Sequence, residues 1–324
     1  DLHLSIRRQR QMCIRDRVGT VAAIAPVGFG LSQATDVSAA LTMATVVGGA
    51  MFGDNLSMIS DTTIAAVRTQ KTKMSDKFKV NFKIVLPGAI LTIIVLWFMT
   101  HGIHVDNTKD YDFNIIKVIP YLVVLILALI GINVILVLIG GTVLSAIIGL
   151  IDGSFNWTHL LKSISKGITG MEDIAMIALL IGGLVALIEY YGGIAWLLNF
   201  IRSKVKSKRG AEFGIASLVS VADISTANNT ISILMAGTLA KDISDEFDVD
   251  PRKSASILDI FASCFQGFVP YSPQLIAAAG VAKISPVELM GYSFYPVLLG
   301  ICGLIAIFFK LPNLNKKKQK NTAY

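Results

Sequence analysis

Charged residues are scarce in this chain, and cysteine and histidine are nearly absent. Charged residues make up 16% of the 324 positions and hydrophobic residues 53%, whereas about a quarter of a water-soluble domain is charged. With a mean hydropathy of +0.65, this composition excludes a soluble globular core. The three cysteines have no CxxC spacing and the four histidines no HExxH spacing, so we expect no disulfide framework, structural metal or other cofactor.

The hydrophobic residues occur in blocks of about 20, the length that crosses a bilayer as a helix. The clearest blocks cover residues 80–100, 174–191 and 287–309, and two more cover 115–131 and 132–151. The sequence therefore predicts an all-α, polytopic membrane protein.

The net charge of +7 arises from basic clusters that lie between the apolar blocks, at residues 68–83, 202–209 and in a tail at 311–324. Lys and Arg concentrate on the cytoplasmic side of membrane proteins. We therefore attribute the charge to orientation in a bacterial inner membrane, with the C-terminus in the cytoplasm, and not to nucleic-acid binding.

Two segments stand apart from these spans. Residues 1–17 lack the apolar stretch of a signal peptide, and we interpret them as a non-native leader. Residues 155–168 are amphipathic and predict a helix that lies along the membrane surface.

An internal repeat relates residues 36–53 to residues 250–267, each of which runs from an Asp to a Gly through an apolar stretch. The match continues downstream, where Pro87 corresponds to Pro296. Transporters are commonly built from two inverted repeats. We assign residues 18–101 to the C-terminal part of the first repeat, 102–114 to a loop and 115–310 to the second.

The repeat leaves two questions open. The second repeat has about 115 residues before its matching point and the first has almost none, so we expect the N-terminal spans of the first repeat to be missing. Residues 211–241 form a re-entrant hairpin and 251–282 a broken crossing, or the reverse.

Three polar clusters interrupt the apolar blocks, and polar residues at membrane depth usually serve a function. In chain order, the candidate ion or substrate ligands are Asp54, Asn55, Ser57, Ser60, Asp61, Thr62 and Thr63, then Asp223, Ser225, Asn228, Asn229 and Thr230, then Gln266, Tyr271 and Ser272.

These residues carry oxygen atoms, which sodium prefers, and interrupted helices add free carbonyls. We expect Gly53, Gly267, Pro270 and Pro273 to interrupt the helices.

An exchanger also needs a group that trades a proton for the cation, and a carboxylate in low dielectric holds a proton near neutral pH. Asp54 and Asp61 suit this role, with Asp223 opposite them. The competing interpretation is that the polar runs are loops or helix caps, with Asp61 as the N-cap of a helix at 63–68.

The segments FGDNLSMISDTTIAA, STANNT and PYSPQ together resemble the NhaC-like Na+/H+ antiporter family of the ion transporter superfamily. The resemblance covers about residues 18–309. It implies inverted repeats, each with a re-entrant hairpin and a broken helix, and it favours 211–241 as the hairpin. It also implies antiport of sodium and protons by alternating access, in a chain truncated at its N-terminus.

The resemblance leaves the second solute open, because relatives in the group are assigned to amino-acid uptake or to malate/lactate exchange. Sodium-coupled transport of an amino acid or carboxylate is therefore the alternative function. An intramembrane aspartyl protease is disfavoured, since its Gly-x-Gly-Asp signature fails at Met51. The expected partners are sodium ions, protons, a small organic anion or amino acid, and the lipid bilayer; a homodimer is left open.

Overall fold

The computed structural model of the chain describes residues 17–57, 60–102, 115–130, 134–153, 156–169 and 190–312, with isolated positions between 176 and 188. Every regular element among these residues is a helix, in agreement with the all-α class. The helices are α1 Arg17–Ala34, α2 Ala39–Asn55, α3 Asp61–Gln70, α4 Met74–Thr100, α5 Ile115–Ile130, α6 Val134–Ile151, α7 Trp157–Thr169, α8 Gly193–Ser203, α9 Lys208–Thr226, α10 Asn229–Glu246, α11 Pro251–Gln266, α12 Pro273–Ala282, α13 Pro286–Met290 and α14 Phe294–Phe308.

Most expected spans coincide with helices. Helices α5 and α6 match the expected blocks, α4 begins before its block, and the block at 174–191 lies largely outside the described residues. The amphipathic segment at 155–168 forms α7, none of whose residues is buried. The leader at 1–17 also lies outside the described residues, except for its last position.

The expected span at 287–309 is wrong as one helix, because the structure divides it into α13 and α14. Ser285 caps the beginning of α13, and Pro286 is the first residue of that helix. After α13 ends at Met290, the chain changes direction, and Tyr292 N donates to Leu289 O over 3.0 Å. Pro296 lies in the first turn of α14, where its missing N–H breaks no helical hydrogen bond. The proline thus marks the beginning of a helix.

The surface of the bundle is apolar and its interior is partly polar. Ile93, Trp97 and Phe98 on α4 are 55–67% exposed, whereas Asn81 and Asp259 are completely buried. In the described part of the chain, α4 is the one helix both long and apolar enough to cross a membrane, and α1, α12 and α14 contain shorter apolar stretches. Apolar surfaces of this kind suit contact with lipid, with polar groups kept inside.

Helices α9 and α10 pack against each other as a hairpin. Ala227 connects them in the left-handed conformation, with φ of 49°, and the Asn228 side chain caps α10. By contrast, α11 and α12 are consecutive pieces of an interrupted helix, separated by residues 267–272. The hairpin therefore occupies 208–246, as the family resemblance implies.

The interrupted helix α2–α3 corresponds to α11–α12 in detail. Ser60 and Ser272 stand at the N-cap positions of α3 and α12, and Lys71 and Lys283 end the same two helices in the left-handed conformation, with φ of 51° and 55°. Helix α3 packs on α10 and α11, while α12 packs on α1 and α2. The packing is thus the same when α1, α2 and α3 are exchanged with α10, α11 and α12, respectively.

The two interrupted helices run antiparallel. At the end of α3, Gln70 Oε1 accepts a hydrogen bond of 2.8 Å from Ser254 at the beginning of α11. At the end of α2, Asn55 Oδ1 accepts a hydrogen bond of 2.7 Å from Ser263 near the end of α11. The interruptions therefore lie at the same depth, an arrangement that inverted repeats produce.

Candidate functional site

The first interruption, at residues 56–60, gathers oxygen atoms around Asp54. Thr62 Oγ1 donates to Asp54 Oδ2 over 3.1 Å, and Ser60 Oγ donates to the Asp54 carbonyl over 3.3 Å. Ser60 also caps α3 by accepting a hydrogen bond from Thr63 N. Asp54 is half-buried and Thr62 is buried, so a carboxylate and two hydroxyls meet at a partly enclosed point.

Asn55 connects three helices at this level. Its Nδ2 donates to Tyr295 Oη on α14 over 3.0 Å, and its Oδ1 accepts from Ser263 on α11. Because both ends of the amide are bonded to the protein, Asn55 positions the interruption and holds α2 against α11 and α14. Ser57 lies in the bend, where its N–H donates to the Asp54 carbonyl over 3.0 Å.

The structure contradicts the competing interpretation of Asp61 as an N-cap and the expectation that glycines interrupt the helices. Ser60, not Asp61, is the N-cap of α3. Asp61 is the half-buried first residue of that helix, where the positive end of the helix dipole stabilises its negative charge. The glycines do not interrupt the helices by unusual backbone geometry, since Gly53 lies inside α2 and Gly267 has φ of −71°. Gly267 instead allows close packing, because a Cβ there would lie 2.2 Å from Pro296 Cγ.

The second interruption, at residues 267–272, lies against the tip of the hairpin. Gln266 Nε2 donates to the Ala227 carbonyl over 3.2 Å, and Tyr271 Oη donates to the Ile224 carbonyl. Asp223 is completely buried and accepts a hydrogen bond of 3.2 Å from Ser232. The second and third polar clusters of the sequence are therefore in contact.

Polar side chains at the hairpin tip bond to the backbone of α9 and α10. Asn228 Oδ1 accepts from Ile231 N over 3.1 Å as the cap of α10, and Ser225 Oγ donates to the Val221 carbonyl over 2.8 Å. Asn229 is buried in the first turn of α10, and Thr230 beside it is half-buried. For Asn228, the structure favours the capping interpretation over ion binding, whereas Ser225 bonds a carbonyl inside α9.

Two oxygens beside the second interruption are completely buried and have no hydrogen-bond partner among the described residues. They are Ser272 Oγ and Gln274 Oε1. Ser272 occupies the N-cap position of α12 without donating or accepting a capping bond, unlike its counterpart Ser60. A buried oxygen without a partner is costly, and a bound cation would satisfy it.

Sequence reasoning missed a buried ion pair next to the first interruption. Lys77 Nζ lies 2.6 Å from Asp259 Oδ2, with the two side chains 1% and 0% exposed. The same ammonium donates to Thr63 Oγ1 over 2.9 Å. The prediction that Lys77 belongs to a cytoplasmic basic cluster is wrong, because its side chain lies inside the bundle.

Asn81 extends this pair into a polar network. Its Nδ2 donates to the Asn55 carbonyl over 2.6 Å and to Asp259 Oδ2 over 3.2 Å, and its Oδ1 accepts from Ser256 over 2.7 Å. The sequence contains a pattern that indicates this network. Ser256, Asp259 and Ser263 recur at helical spacing on α11, and Lys77 and Asn81 are four residues apart on α4.

The family model of the Na+/H+ antiporter family matches residues 110–311. The chain is 22% identical to the malate-2H+/Na+-lactate antiporter of Bacillus subtilis, over 87% of this chain and 68% of that protein. It is 23% identical to the Na+/H+ antiporter NhaC of the same organism, over 89% and 70% of the two chains, and 22% identical to NhaC of Alkalihalophilus pseudofirmus, over 94% and 72%. No solved structure matches. Since the family model covers more than half of the sequence, this chain belongs to the Na+/H+ antiporter family.

Proposed function

We propose that this chain exchanges sodium for protons across a bacterial membrane by alternating access, with the cation bound at the first interruption. Membership of the Na+/H+ antiporter family makes the chain a membrane transporter and not an enzyme. What the family leaves to be assigned is the position of the ion and the identity of its ligands.

The observation that carries the proposal is the convergence of Asp54, Thr62 and Ser60 in a helix interruption. The Thr62 hydroxyl lies 3.1 Å from the Asp54 carboxylate, and Ser60 bonds both to the Asp54 carbonyl and to Thr62. A carboxylate, hydroxyls and carbonyls are the ligands of a hard cation. Asp54 neutralises sodium in one half of the cycle and, together with Asp61, holds protons in the other.

The second interruption supplies the facing wall of the proposed site. It lies at the depth of the first, since Asn55 bonds Ser263 and Gly267 lies against Met51. Its buried oxygens on Ser272 and Gln274, with Asp223 on the neighbouring hairpin, provide further cation ligands. In the proposed cycle, two antiparallel interrupted helices open the same ion position first to one side and then to the other.

The test is sodium-driven proton movement in proteoliposomes that contain the purified chain and a trapped pH dye. An inward sodium gradient should make the interior more alkaline as protons leave. Asp54→Asn removes the charge and keeps the shape, so we expect at least a tenfold loss of rate, the scale of a lost charged ligand worth roughly 1.5–3 kcal/mol. Asp36→Asn is the matched control, because Asp36 is exposed before α2, and it should exchange like the unchanged chain.

A wild-type chain that folds and shows no sodium-dependent pH change would overturn antiport. Normal exchange by Asp54→Asn would instead overturn the assignment of the ligand and leave antiport standing. The folded state of each variant is checked by its elution as one species in detergent and by its thermal unfolding midpoint.

A second function, exchange of a small carboxylate coupled to sodium, is favoured by the relative whose name is malate-2H+/Na+-lactate antiporter. The Ser272 hydroxyl at the beginning of α12 has no hydrogen-bond partner among the described residues and is available to donate to an anion, since helix N-termini favour negative charge. Uptake of labelled malate or lactate by the same proteoliposomes, with and without sodium, separates this function from simple sodium/proton exchange.

A further inference from the structure

A polar cavity of about 260 Å³ lies where α9 and α11 begin and α14 ends, away from both interruptions. Four basic and two acidic side chains line it, and they are Lys208, Arg209, Lys253, Lys310, Glu212 and Asp250. The basic side chains outnumber the acidic ones, so the cavity is a positively charged recess between three helices.

The two carboxylates of the cavity are already engaged by cations. Glu212 Oε2 lies 2.7 Å from Lys253 Nζ, and both side chains are buried. Asp250 Oδ2 lies 2.6 Å from Arg252 Nη2. An anion that enters the cavity therefore meets two neutralised carboxylates and the three other basic side chains.

Those three basic side chains have no strong acidic partner. Lys208 lies 3.8 Å from Asp248, and both side chains are more than half exposed, so this pair is weak. The Arg209 guanidinium lies over the Phe308 ring, 5.9 Å from its centre. Within the described part of the chain, neither Arg209 nor Lys310 forms an ion pair. Their charges are available to a ligand.

The beginning of α9 differs from that of α11 in how its cations are balanced. In the first turn of α11, Arg252 is paired with the helix cap, Asp250. The first turn of α9 contains Lys208 and Arg209 and no acidic residue. Cations are unfavourable at the positive end of a helix dipole, so a bound anion would stabilise α9 as Asp250 stabilises α11.

Exposed apolar side chains lie next to the basic recess. Phe308, Phe309 and Leu311, where the apolar helix α14 ends, are 59%, 65% and 50% exposed. Basic pockets between membrane helices bind anionic lipid headgroups. A soluble anion would contact the basic side chains alone, whereas a lipid would cover the apolar side chains as well.

We propose that this cavity binds the headgroup phosphate of an anionic phospholipid. The phosphate oxygens accept charge-assisted hydrogen bonds from Arg209 and Lys310, and the acyl chains lie against Phe308 and Phe309. The bound lipid joins the beginning of α9 to the end of α14. The site is separate from the ion position, and its occupation does not depend on sodium/proton exchange.

The test uses the purified chain in detergent micelles that contain increasing mole fractions of dioleoyl phosphatidylglycerol. A ligand that binds the folded state raises the thermal unfolding midpoint, so the lipid fraction that gives half of the maximal rise measures affinity. Dioleoyl phosphatidylcholine, which has the same acyl chains and no net charge, should require a fraction at least about tenfold higher. Added salt should weaken the effect of phosphatidylglycerol by screening, and inorganic phosphate alone should give no rise.

Two double variants separate the cavity from general surface charge. Arg209→Gln with Lys310→Gln removes two charges from the cavity, and we expect the half-maximal fraction of phosphatidylglycerol to increase at least about tenfold. Lys204→Gln with Lys206→Gln removes the same charge from exposed positions between α8 and α9, outside the cavity. This matched control should respond to phosphatidylglycerol like the unchanged chain.

The proposal is overturned if the two double variants lose the same affinity, because phosphatidylglycerol is then attracted by net charge alone. An equal rise with phosphatidylcholine would overturn the role of the anionic headgroup, and an equal rise with inorganic phosphate would make the cavity a site for soluble anions. If the cavity variant does not fold, the salt series on the unchanged chain decides, since a phosphatidylglycerol effect that does not change with salt contradicts binding by Arg209 and Lys310.

Discussion

Gly267 and Gly53 occupy matching positions in the two interrupted helices, but their surroundings differ. A Cβ on Gly267 would lie 2.2 Å from Pro296 Cγ and 2.6 Å from Pro296 Cβ, in a ring that cannot rotate away. A Cβ on Gly53 would have no atom of the described residues within 4 Å. The repeat thus preserves the glycine at both positions, whereas close packing requires it at one.

We therefore expect Gly267→Ala to destabilise the protein by about 1–3 kcal/mol through overpacking. Gly53→Ala, the matched control inside α2, should be neutral or stabilising by up to about 1 kcal/mol because alanine is the better helix former. Thermal unfolding of both variants in detergent measures the difference. Equal midpoints for the two variants would show that Pro296 moves aside at no cost.

The buried position of Lys77 illustrates why single residues resist prediction from sequence. Its neighbours Lys73 and Lys79 are exposed, and in the local sequence only the spacing of four residues to the polar Asn81 separates Lys77 from them. Its partner Asp259 lies 182 positions away, so the pair exists only after α4 packs on α11. Asp54, Ser60 and Thr62 were predictable together because they are close in sequence and polar within an apolar chain.

At the scale of the helix, α11 begins with a cap that is also an ion pair. Asp250 Oδ1 accepts from Arg252 N over 2.9 Å, and its carboxylate accepts two bonds from the Arg252 guanidinium. Partial burial acts to raise the pKa of Asp250, but the hydrogen bonds from Arg252 and the charges of Arg252 and Lys208 outweigh it, so the pKa lies below its usual value.

This lowered pKa gives a stability prediction with a definite sign. The charged carboxylate stabilises the fold fully above the unfolded pKa of about 3.9, and its contribution is lost as pH falls through the lower folded value. At neutral pH, Asp250→Asn should keep the cap and cost less than about 1 kcal/mol, since the pair is partly solvated. Asp250→Ala should cost about 1 kcal/mol more through loss of the cap.

Thermal unfolding of the three proteins over a pH series measures both effects. The difference between Asp250→Asn and the unchanged chain should vanish at acid pH, whereas the additional cost of Asp250→Ala should persist. A difference between wild type and Asp250→Asn that stays constant into acid would contradict the ion-pair contribution.

The elements themselves were largely predictable, with errors at their ends. The polar residues at 223–230 separate two apolar stretches, and the structure has α9 and α10 there as a hairpin. The sequence alone could not choose between hairpin and broken crossing, because both contain two helical pieces around a polar centre. The interruption at residues 291–293 was missed since its apolar flanks conceal the turn after Gly291.

At the scale of the whole molecule, the repeat in the sequence corresponds to a reciprocal packing of helices. The sequence could align Pro87 with Pro296, but it could not show that α3 would pack on α10 and α12 on α1. Such contacts depend on where long-range partners meet. The inverted orientation of the repeats remains a prediction, and the paired helix ends at Lys71 and Lys283 provide its test.

Lys71 and Lys283 end α3 and α12 in the same backbone conformation, and both are exposed. Because the interrupted helices run antiparallel, with Gln70 against the beginning of α11, inverted repeats in a bilayer place the two lysines on opposite sides. In intact cells, a membrane-impermeant maleimide should therefore label Lys283→Cys, whereas Lys71→Cys should react only after the cytoplasmic side is opened. The parent chain, which contains Cys13, Cys264 and Cys302, gives the background labelling. Labelling of both positions from the same side would refute the inverted arrangement and, with it, the two-sided access on which the proposed exchange cycle depends.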